Sequence, residues 1–371
     1  MARFLYALSG QGRGHRSRAV AMAETLRGRG HTVRFATSGD AAVALARDGE
    51  NVLAVPGLVQ VLRENHVALG DTVRANAATV LATPRHTRTL SDALAAWTPD
   101  LVVSDFEPFL PRAAARLGLP VVALDHQQVL TETRFDVPKA HRRDAFWVKW
   151  PVRAIAPRHA DHTVVTSFFA APVRRPERVT LVGPILRRAV RAARATEGEH
   201  LLVYANDATL GPALVQALAR TGVPARLYGI AAPTDGAPQN LTFCPADDAA
   251  FLADLAGCRG VVCTAGHTLL SEALYLGKPV LALPNGGLFE QTLNGLMLER
   301  MGAGTCLDGR LPTAADVAAF VGRRARFTAS AGLAPGHDEA ADVLEAALER
   351  ATAPARPDLS PRLARPAVLA S

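Results

Sequence analysis

The sequence contains few cysteines, few aromatic residues and no long apolar run among its 371 residues. A run of about 18 uncharged apolar residues, as a membrane-spanning helix requires, is absent. No basic leader with an apolar stretch follows Met1. The cysteines form no C-x-x-C pair and have no spacing typical of a zinc site, so we interpret them as buried thiols. These are Cys244, Cys258, Cys263 and Cys306. We therefore expect a soluble, cytoplasmic protein.

Charge is distributed unevenly along the chain, whose formal net charge is +7. Residues 1–180 carry 24 Lys and Arg against 16 Asp and Glu, so the basicity belongs to the first half. Either this surface is simply rich in solvated arginine, or it attracts an anionic acceptor or the anionic face of a membrane, with peripheral association there. Aromatic residues make up only 5% of the chain and do not alternate with the arginines, which argues against nucleic acid as a partner.

Apolar runs with strand character alternate with helical patterns, which predicts two parallel, doubly wound α/β domains. Strands of the first domain (1–185) are expected at Arg3–Ser9, Thr32–Thr37, Asn51–Val55, Leu101–Ser104, Val121–Leu124 and Thr163–Thr166. Those of the second (199–352) are expected at His200–Tyr204, Ala225–Tyr228, Gly260–Cys263, Pro279–Leu283 and Gly304–Cys306. A patternless, arginine-rich linker (186–198) and a tail rich in Pro, Arg and Ala (353–371) complete the plan. Ligands of such sheets bind at the carboxyl ends of the strands, here the cleft between the domains.

The most informative segment, residues 261–304, reads VVCTAGHTLLSEALYLGKPVLALPNGGLFEQTLNGLMLERMGAG. A strand ends at Cys263, a turn of small residues ends at Gly266, and a helix is expected to begin at His267 or Thr268. The free N–H groups and the positive dipole end of this helix then face the cleft, where a diphosphate fits without a metal ion. The sequence contains no D-x-D motif of the kind that holds a diphosphate through a divalent cation.

This segment resembles the donor-binding signature of glycosyltransferases with the GT-B fold, in which two Rossmann-like domains face a cleft. The matching features occur in one ordered run: Gly266, Glu272 six positions later, the Gly277–Pro279 turn, Glu290-Gln291 and Asn294. The resemblance includes enzymes that glycosylate small molecules and the enzyme that adds N-acetylglucosamine to a lipid-linked peptidoglycan precursor. It implies a metal-independent hexosyltransferase that needs no cofactor, a UDP- or TDP-linked sugar as co-substrate, and a hydroxyl acceptor that is a small molecule, a lipid-linked molecule or a glycan.

The resemblance also assigns roles within the donor site. Glu272 is assigned to the ribose, whose vicinal hydroxyls suit a carboxylate acceptor, and Glu290 with Gln291 to the transferred sugar. The alternatives are a solvated helix face for Glu272 and helix N-terminal charge complementation for Glu290. Many small-molecule enzymes carry a phosphate-binding histidine eight positions before the glutamate, where this chain has Thr264. Either Thr264 or His267 supplies the phosphate contact, unless His267 only packs at the helix start.

If the second domain holds the diphosphate, the glycine-rich loop after the first strand, SGQGRGH, is free to face the acceptor through Gly12 and Gly14. GT-B enzymes commonly present a histidine there, and the resemblance makes His15 the general base. An imidazole that titrates near neutrality removes a hydroxyl proton at least cost. The resemblance favours Asp105 over Glu107 as the carboxylate that orients it. Alternatively, Asp105 caps the following helix.

A second polar cluster, Asp125, His126 and Gln127, follows the fifth strand and is expected to shape the acceptor site. His126 is the rival base if His15 contacts only phosphate. The phrases GRGH, VSDFEP and DHQ resemble those of a little-characterised bacterial and archaeal GT-B subgroup, which leaves the acceptor open.

Three other functional classes share part of the pattern. A nucleotide-sugar 2-epimerase has the same two-domain plan but needs acid/base carboxylates around its sugar, which the sequence does not identify. A non-catalytic nucleotide-sugar-binding protein is the interpretation if His15 and Asp105 do not meet. An oxidoreductase is the least favoured class, because the glycines of the first loop lack the third-glycine spacing of the dinucleotide fingerprint.

Overall fold

The structure is a computed structural model that describes residues 1–63, 66–205, 209–234, 236–327 and 333–352. In the first half the strands are β1 (Arg3–Leu8), β2 (Thr32–Thr37), β3 (Val52–Ala54), β4 (Leu62–Arg63), β5 (His66–Val67), β6 (Leu101–Asp105), β7 (Val121–Asp125), β8 (His162–Thr166) and β9 (Val179–Val182). In the second half they are β10 (Leu201–Tyr204), β11 (Ala225–Tyr228), β12 (Leu241–Cys244), β13 (Gly260–Cys263), β14 (Val280–Ala282) and β15 (Gly304–Cys306).

Helices connect most of these strands and cover both faces of each sheet. Those of the first half are α1 (Arg13–Gly28), α2 (Gly39–Arg47), α3 (Leu69–Leu81), α4 (Thr83–Trp97), α5 (Leu110–Arg116), α6 (Val129–Glu132), α7 (Arg142–Trp147) and α8 (Lys149–Ile155). The others are α9 (Arg188–Ala192), α10 (Leu210–Ala219), α11 (Asp248–Gly257), α12 (His267–Tyr275), α13 (Phe289–Arg300), α14 (Ala314–Arg323) and α15 (His337–Thr352). Short 3₁₀ turns occupy Lys139–His141 and Arg324–Arg326.

The strands form two parallel sheets, which confirms the predicted fold class. Within the described residues, one sheet has the order β3-β2-β1-β6-β7-β8-β9 and the other β12-β11-β10-β13-β14-β15, while β4 and β5 pair separately. Every predicted strand is present to within one or two residues at each end. Four of these strands were not predicted. β9 and β12 are four-residue edge strands whose side chains are only partly buried, and β4 and β5 are two-residue strands, too short to show a pattern.

The strand order reverses once in each sheet, and these two points position the site. β1 pairs with β2 on one side and β6 on the other, and Leu8 is aligned with Asp105. β10 likewise lies between β11 and β13, with Tyr204 aligned with Cys263. Loops on opposite sides of such a switch point diverge and leave a crevice at the carboxyl ends of the strands. The crevices of the two domains face each other.

The last helix belongs to the first domain, although the sequence prediction placed all of residues 199–352 in the second. Ala340, Leu344 and Ala347 of α15 are buried in the core formed with β1, β8, β9 and α1. Glu345 accepts hydrogen bonds from Arg29 and His31 at 2.8 Å each. The amphipathic pattern of α15 predicts a buried face but does not determine which sheet that face covers.

The linker also differs from its prediction, since it contains the short helix α9, and Val190 packs in the core. That core extends across both domains: Val129, Val165 and Phe168 of the first share it with Leu270 and Phe289 of the second. The predicted tail, 353–371, lies outside the described residues. Among the residues that are described, no helix is both long and apolar enough to cross a membrane.

Candidate active site

A cavity of about 270 Å³ opens between the two domains at their switch points. Twelve of the fourteen predicted site residues line it: Gly12, Gly14, His15, His126, Gln127, Thr264, Gly266, His267, Thr268, Glu272, Glu290 and Gln291. The other two, Asp105 and Asp125, are fully buried behind its wall. The structure therefore brings together residues from loops that are more than 200 positions apart in the sequence.

His15 and Asp105 form a hydrogen-bonded pair. The imidazole Nδ1 lies 2.7 Å from Oδ1 of Asp105, and the loop after β1 is fixed beside β6 by a bond from Ser9 N to the Asp105 carbonyl at 3.0 Å. The side chain of His15 is 13% exposed, whereas Asp105 is fully buried. Because the carboxylate accepts the Nδ1 proton, Nε2 carries the free lone pair. Nε2 lies 3.4 Å from Nε2 of Gln127, at the cavity wall.

Arg18 completes this cluster and was not predicted from the sequence. Its Nε and Nη2 donate to the two oxygens of Asp105 at 2.8 and 2.5 Å, and its side chain is buried. Burial alone would raise the pKa of Asp105, but the charge of Arg18, with His15, outweighs it and lowers that pKa. Asp105 is therefore an anion throughout the neutral range. The signal for Arg18 was its position, three residues after His15 on the same face of α1.

Two neighbouring carboxyl groups, those of Glu107 and Asp125, accept hydrogen bonds that hold the local backbone in place. Glu107 receives the backbone N–H groups of Phe109 and Leu110 at 2.9 and 2.7 Å, so it, and not Asp105, caps the start of α5. Burial raises the pKa of Glu107 to about 7. Asp125 accepts the backbone and side-chain N–H groups of Gln128 at 2.8 Å each, and burial raises its pKa to about 6. Asp125 thus supports the turn below the cavity and does not itself line it, so a part in shaping the acceptor site would be indirect, through this turn.

His126 is stacked on His267 across the domain boundary. Their ring centroids lie 3.9 Å apart with an interplanar angle of 12°. Nδ1 of His126 lies 2.7 Å from the Thr166 carbonyl and Nε2 lies 2.9 Å from Oδ1 of Asn294, so both nitrogens of this ring are engaged. The buried Nδ1 of His267, by contrast, has no hydrogen-bond partner among the described residues. Burial lowers the pKa of both histidines. The pKa of His267 is lowered further, because the neighbouring His126 also disfavours a charge on its ring.

The glycine loop brings α1 of the first domain into contact with α12 of the second. Gly12 has φ +90°, a left-handed conformation that favours glycine, just before α1 begins. A Cβ atom on Gly14 would lie 2.8 Å from Oγ1 of Thr268, so any larger residue would require the Thr268 side chain or the helices to shift. The first residues of both helices line the cavity, and free N–H groups of two helix N-termini therefore surround it.

Glu272 is occupied by an arginine of the linker. Nε and Nη2 of Arg187 donate to its two oxygens at 2.8 and 2.9 Å, a bidentate ion pair. The side chain of Glu272 is 4% exposed and that of Arg187 is 21% exposed, and both line the cavity. Arg187 was missed because the linker has no periodic pattern. Beside the pair lie Tyr204 and Phe251, whose rings meet edge to face at 6.1 Å.

Glu290 and Gln291 stand at the first turn of α13. Nε2 of Gln127 donates to Glu290 at 3.3 Å, which joins the acceptor-side loop to the donor-side helix. Oε1 of Gln291 accepts from the backbone of Asn285 at 2.9 Å and fixes the preceding turn. Asn294, one turn further on, donates to the Ala265 carbonyl at 3.0 Å. The described parts of the chain contain no group of three or more His, Cys, Asp or Glu arranged to hold a metal ion.

Comparison with known proteins identifies the family. The model described as "Glycosyl transferase family 1" matches residues 2–324, most of the chain. The protein belongs to glycosyl transferase family 1. It is therefore a glycosyltransferase. This family 1 enzyme is 22% identical over 350 residues to an uncharacterised glycosyltransferase of Methanosarcina mazei, with 82% of this chain and 85% of the relative covered. A relative from Methanosarcina acetivorans is 23% identical over 354 residues, with the same coverage.

Solved structures share the architecture of this glycosyltransferase. The kitacinnamycin glycosyltransferase has a TM-score of 0.62 at 17% identity, covering 93% of this chain and 99% of its own. The glycosyltransferase VinC, solved with dTDP, has a TM-score of 0.59 at 17% identity, and the match covers 94% of this chain and 100% of that one. Acinetobacter baumannii MurG has a TM-score of 0.60 at 14% identity, and the match covers 93% of this chain and 100% of that one. These matches confirm the predicted GT-B fold over nearly the whole chain.

Proposed function

We propose that this glycosyltransferase moves a hexose from a UDP- or TDP-linked sugar to a hydroxyl acceptor, with His15 as general base. The observation that carries the proposal is the arrangement of the cavity. The His15–Asp105 pair forms one wall, and the N-terminus of α12 with Glu272 forms the other. A base and an anion-binding helix end thus face the same space, as a transfer from a nucleotide sugar requires.

The donor site of this proposal lies on the second domain. The diphosphate binds at the N–H groups that begin α12, next to Thr264 and to the unpartnered Nδ1 of His267. Four arginines line the same cavity: Arg13, Arg16, Arg18 and Arg187. Arg18 is paired with Asp105, Arg16 with Asp48 and Asp248, and Arg187 with Glu272. We propose that Arg13, with Arg187 once it is released, supplies the positive charge at the diphosphate, so that no metal ion is needed. The dTDP in the solved VinC structure, which shares this fold, supports a nucleoside diphosphate as the ligand. The nucleobase of the donor then lies toward Tyr204 and Phe251, and the sugar to be transferred lies toward Glu290.

The same site needs an exchange of partners when the donor binds. Glu272 suits ribose hydroxyls only if Arg187 gives up at least one of its two hydrogen bonds. We place the released guanidinium on the diphosphate, whose negative charge replaces that of the carboxylate. The exchange keeps both charged side chains hydrogen-bonded, Glu272 to the ribose and Arg187 to the diphosphate, which limits the cost of burying the carboxylate.

The proton transfer rests on the first domain. Nε2 of His15 takes the hydroxyl proton as the acceptor oxygen attacks the anomeric carbon, and the nucleoside diphosphate leaves. Asp105 fixes the tautomer and stabilises the imidazolium that forms. Arg18 keeps this carboxylate ionised and immobile through two hydrogen bonds. His126 fits the base role less well, because it is fully buried and its Nε2 lies 2.9 Å from Asn294, whereas His15 is partly exposed and its Nε2 has only the longer 3.4 Å contact with Gln127.

Thermal shift with nucleotides tests the donor class directly. UDP or TDP, and not NAD, should raise the melting temperature, because a ligand that binds only the folded state stabilises it by about 2.7 kcal/mol at a hundredfold excess over Kd. GDP and inorganic pyrophosphate separate base recognition from phosphate recognition. A larger shift with NAD than with UDP and TDP would contradict the proposal and favour a dinucleotide-dependent enzyme.

A further inference from the structure

Three large aromatic side chains are exposed together on one face of the first domain. Phe146 is 57% exposed, and Trp147 and Trp150 are each 59% exposed. Phe146 and Trp147 contact each other edge to face at 5.4 Å. Ala145 of α7 and Val152 of α8 are buried in the core on the opposite side of these helices, so the aromatic rings must face solvent. Two of the three tryptophans in the chain lie here. The exposed rings therefore form a patch and are not a single scattered apolar residue of the kind that is normal on a surface.

The same segment, residues 139–158, is strongly basic, and we call it the aromatic-basic face. Its only acidic residue is Asp144. The cations are Lys139, Arg142, Arg143, Lys149, Arg153 and Arg158. All but Lys149 are exposed to solvent. The combination differs from an ordinary charged surface, where apolar rings are dispersed. Six cations against one carboxylate within residues 139–158 give the face a strongly positive field, which favours an anionic partner.

A second cavity, of about 460 Å³, adjoins this face. Trp150, Arg153 and Arg158 line it, together with Arg175 and Arg178 of the loop before β9. The one carboxylate in its wall, Glu132, is paired with Arg175 at 2.7 Å, so the remaining guanidinium groups are in excess. A pocket with this lining accepts phosphate or another anionic headgroup.

We propose that the aromatic-basic face docks the protein on a bilayer that contains anionic lipids. Tryptophan rings prefer the interface between headgroups and acyl chains, and lysine and arginine next to them are attracted to anionic headgroups. Helices α7 and α8 have six and seven residues and remain folded on the domain, so the face inserts side chains and not a helix. This inference does not rest on the proposed transfer reaction.

The face lies beside the cleft and not on the far side of the molecule. His141 Nε2 is 3.2 Å from Asp308 of the second domain, and Phe135 contacts Phe289 at the start of α13. Adjacent residues of one turn separate the two cavities, since Gln127 lines the first and Gln128 the second. A bilayer held at this face therefore borders the acceptor side of the cleft.

Vesicle co-sedimentation of the full chain tests the proposal. We expect binding to vesicles of phosphatidylcholine mixed with phosphatidylglycerol, and little binding to phosphatidylcholine alone. The triple variant Phe146→Ser/Trp147→Ser/Trp150→Ser, and separately Arg142→Glu/Arg143→Glu, should each bind at least about tenfold more weakly. Thermal unfolding should be unchanged, because these side chains are more than half exposed or lie on the surface.

Matched controls use a second exposed region of the same domain. Leu69→Ser/Leu81→Ser removes apolar side chains of α3 that are 72% and 82% exposed, and Arg85→Glu/Arg88→Glu reverses two surface charges on α4. Both should leave vesicle binding intact. Full binding by the triple aromatic variant, or loss of binding only in the α3 control, would overturn the proposal. So would the absence of any binding to anionic vesicles.

Tryptophan fluorescence gives an independent readout. The variant Trp97→Phe retains only the two tryptophans of the aromatic-basic face. Anionic vesicles should shift its emission to shorter wavelength, since the rings leave water for the interface. A duplex DNA oligonucleotide of equal phosphate concentration should not produce this shift; an equal or larger shift with DNA would replace the membrane by nucleic acid as the partner. Thermal shifts with nucleotides, measured without vesicles, test the proposed donor site independently of membrane binding.

Discussion

Arg187 and Glu272 are joined by two nearly parallel hydrogen bonds, 2.8 and 2.9 Å long, between the linker and the second turn of α12. The pair fills the position that a ribose is expected to take. If Glu272 binds the ribose as proposed, we expect nucleotide binding to rearrange the segment that connects the two domains.

Separate fragments of the donor should respond in opposite ways to loss of this glutamate. Glu272→Ala should weaken uridine binding about tenfold to a hundredfold, since charge-assisted hydrogen bonds are worth roughly 1.5–3 kcal/mol. Pyrophosphate binding should be equal or stronger, because Arg187 is then free. Arg187→Ala should weaken pyrophosphate binding, and the exposed neighbour Arg188→Ala should change neither. Calorimetric titration measures both ligands; weaker pyrophosphate binding in Glu272→Ala would contradict the exchange.

His15→Ala should lower turnover by about a hundredfold to ten-thousandfold, while donor affinity stays nearly the same, because the proposed base contacts the acceptor. Asp105→Asn should lower activity less and shift the acidic limb of the pH–rate profile. The double variant should lose little more than His15→Ala, since the two residues act as one unit. Steady-state transfer, or donor hydrolysis without acceptor, measures this. Donor affinity lost together with activity in His15→Ala would instead assign the histidine to the phosphates.

Gly14→Ala should destabilise the closed arrangement of the two domains by about 1–3 kcal/mol, the usual cost of overpacking. The added methyl group would lie 2.8 Å from Oγ1 of Thr268. Combining it with Thr268→Ala should restore most of the loss, because the clashing atom is removed. Gly28→Ala, at the other end of α1, is the matched control, since a Cβ there meets nothing within 4 Å. Chemical unfolding of the four proteins gives the values; no rescue in the double variant would disprove this contact as the cause.

The stacked histidines predict acid sensitivity. Burial depresses the pKa of His267 in the folded state, so below about pH 6.5 the unfolded chain binds more protons and stability falls as the pH falls. His267→Phe keeps a ring in the stack and should lessen this loss. Glu107 and Asp125, whose pKa values are raised to about 7 and about 6, act in the opposite direction over part of the same range.

The informative quantity is therefore the difference between His267→Phe and the parent protein, measured by urea unfolding from pH 7 to pH 5. His159→Phe replaces an exposed histidine of the first domain and serves as the control. An identical pH dependence for His267→Phe and the parent would show that the stacked ring is not responsible.

The sequence predicted the features that local patterns determine. Buried parallel strands read as apolar runs, and small or polar residues at their ends are where ligands of such sheets bind. That reasoning placed the glycine loop before His15 and the turn at Gly266 at the cleft, whereas the roles of His15 and Glu272 came from the family resemblance. The pairing of His15 with Asp105, 90 positions away, came from the family resemblance, and the structure brings the two within 2.7 Å.

Tertiary contacts decided the rest. Arg187 comes from a stretch without periodicity and meets a glutamate 85 positions later. Asp125 and Asp105 both follow apolar strands, yet one faces inward to Gln128 and the other meets His15, because their positions in the strand order differ. Burial also removes from solvent the pair of histidines that the sequence shows only as isolated polar residues.

The return of α15 to the first sheet means that the chain passes between the domains twice. The two crossings touch: the N–H of Gly336 donates to the carbonyl of Pro184 at 3.0 Å, and a Cβ on Gly183 would strike the carbonyl of Ala334. Because the two connections are held together at this point, we expect any rotation of one domain against the other to be centred here. Arg187 lies three residues beyond Pro184, so we expect such a rotation to move the guanidinium that holds Glu272 at the proposed donor site.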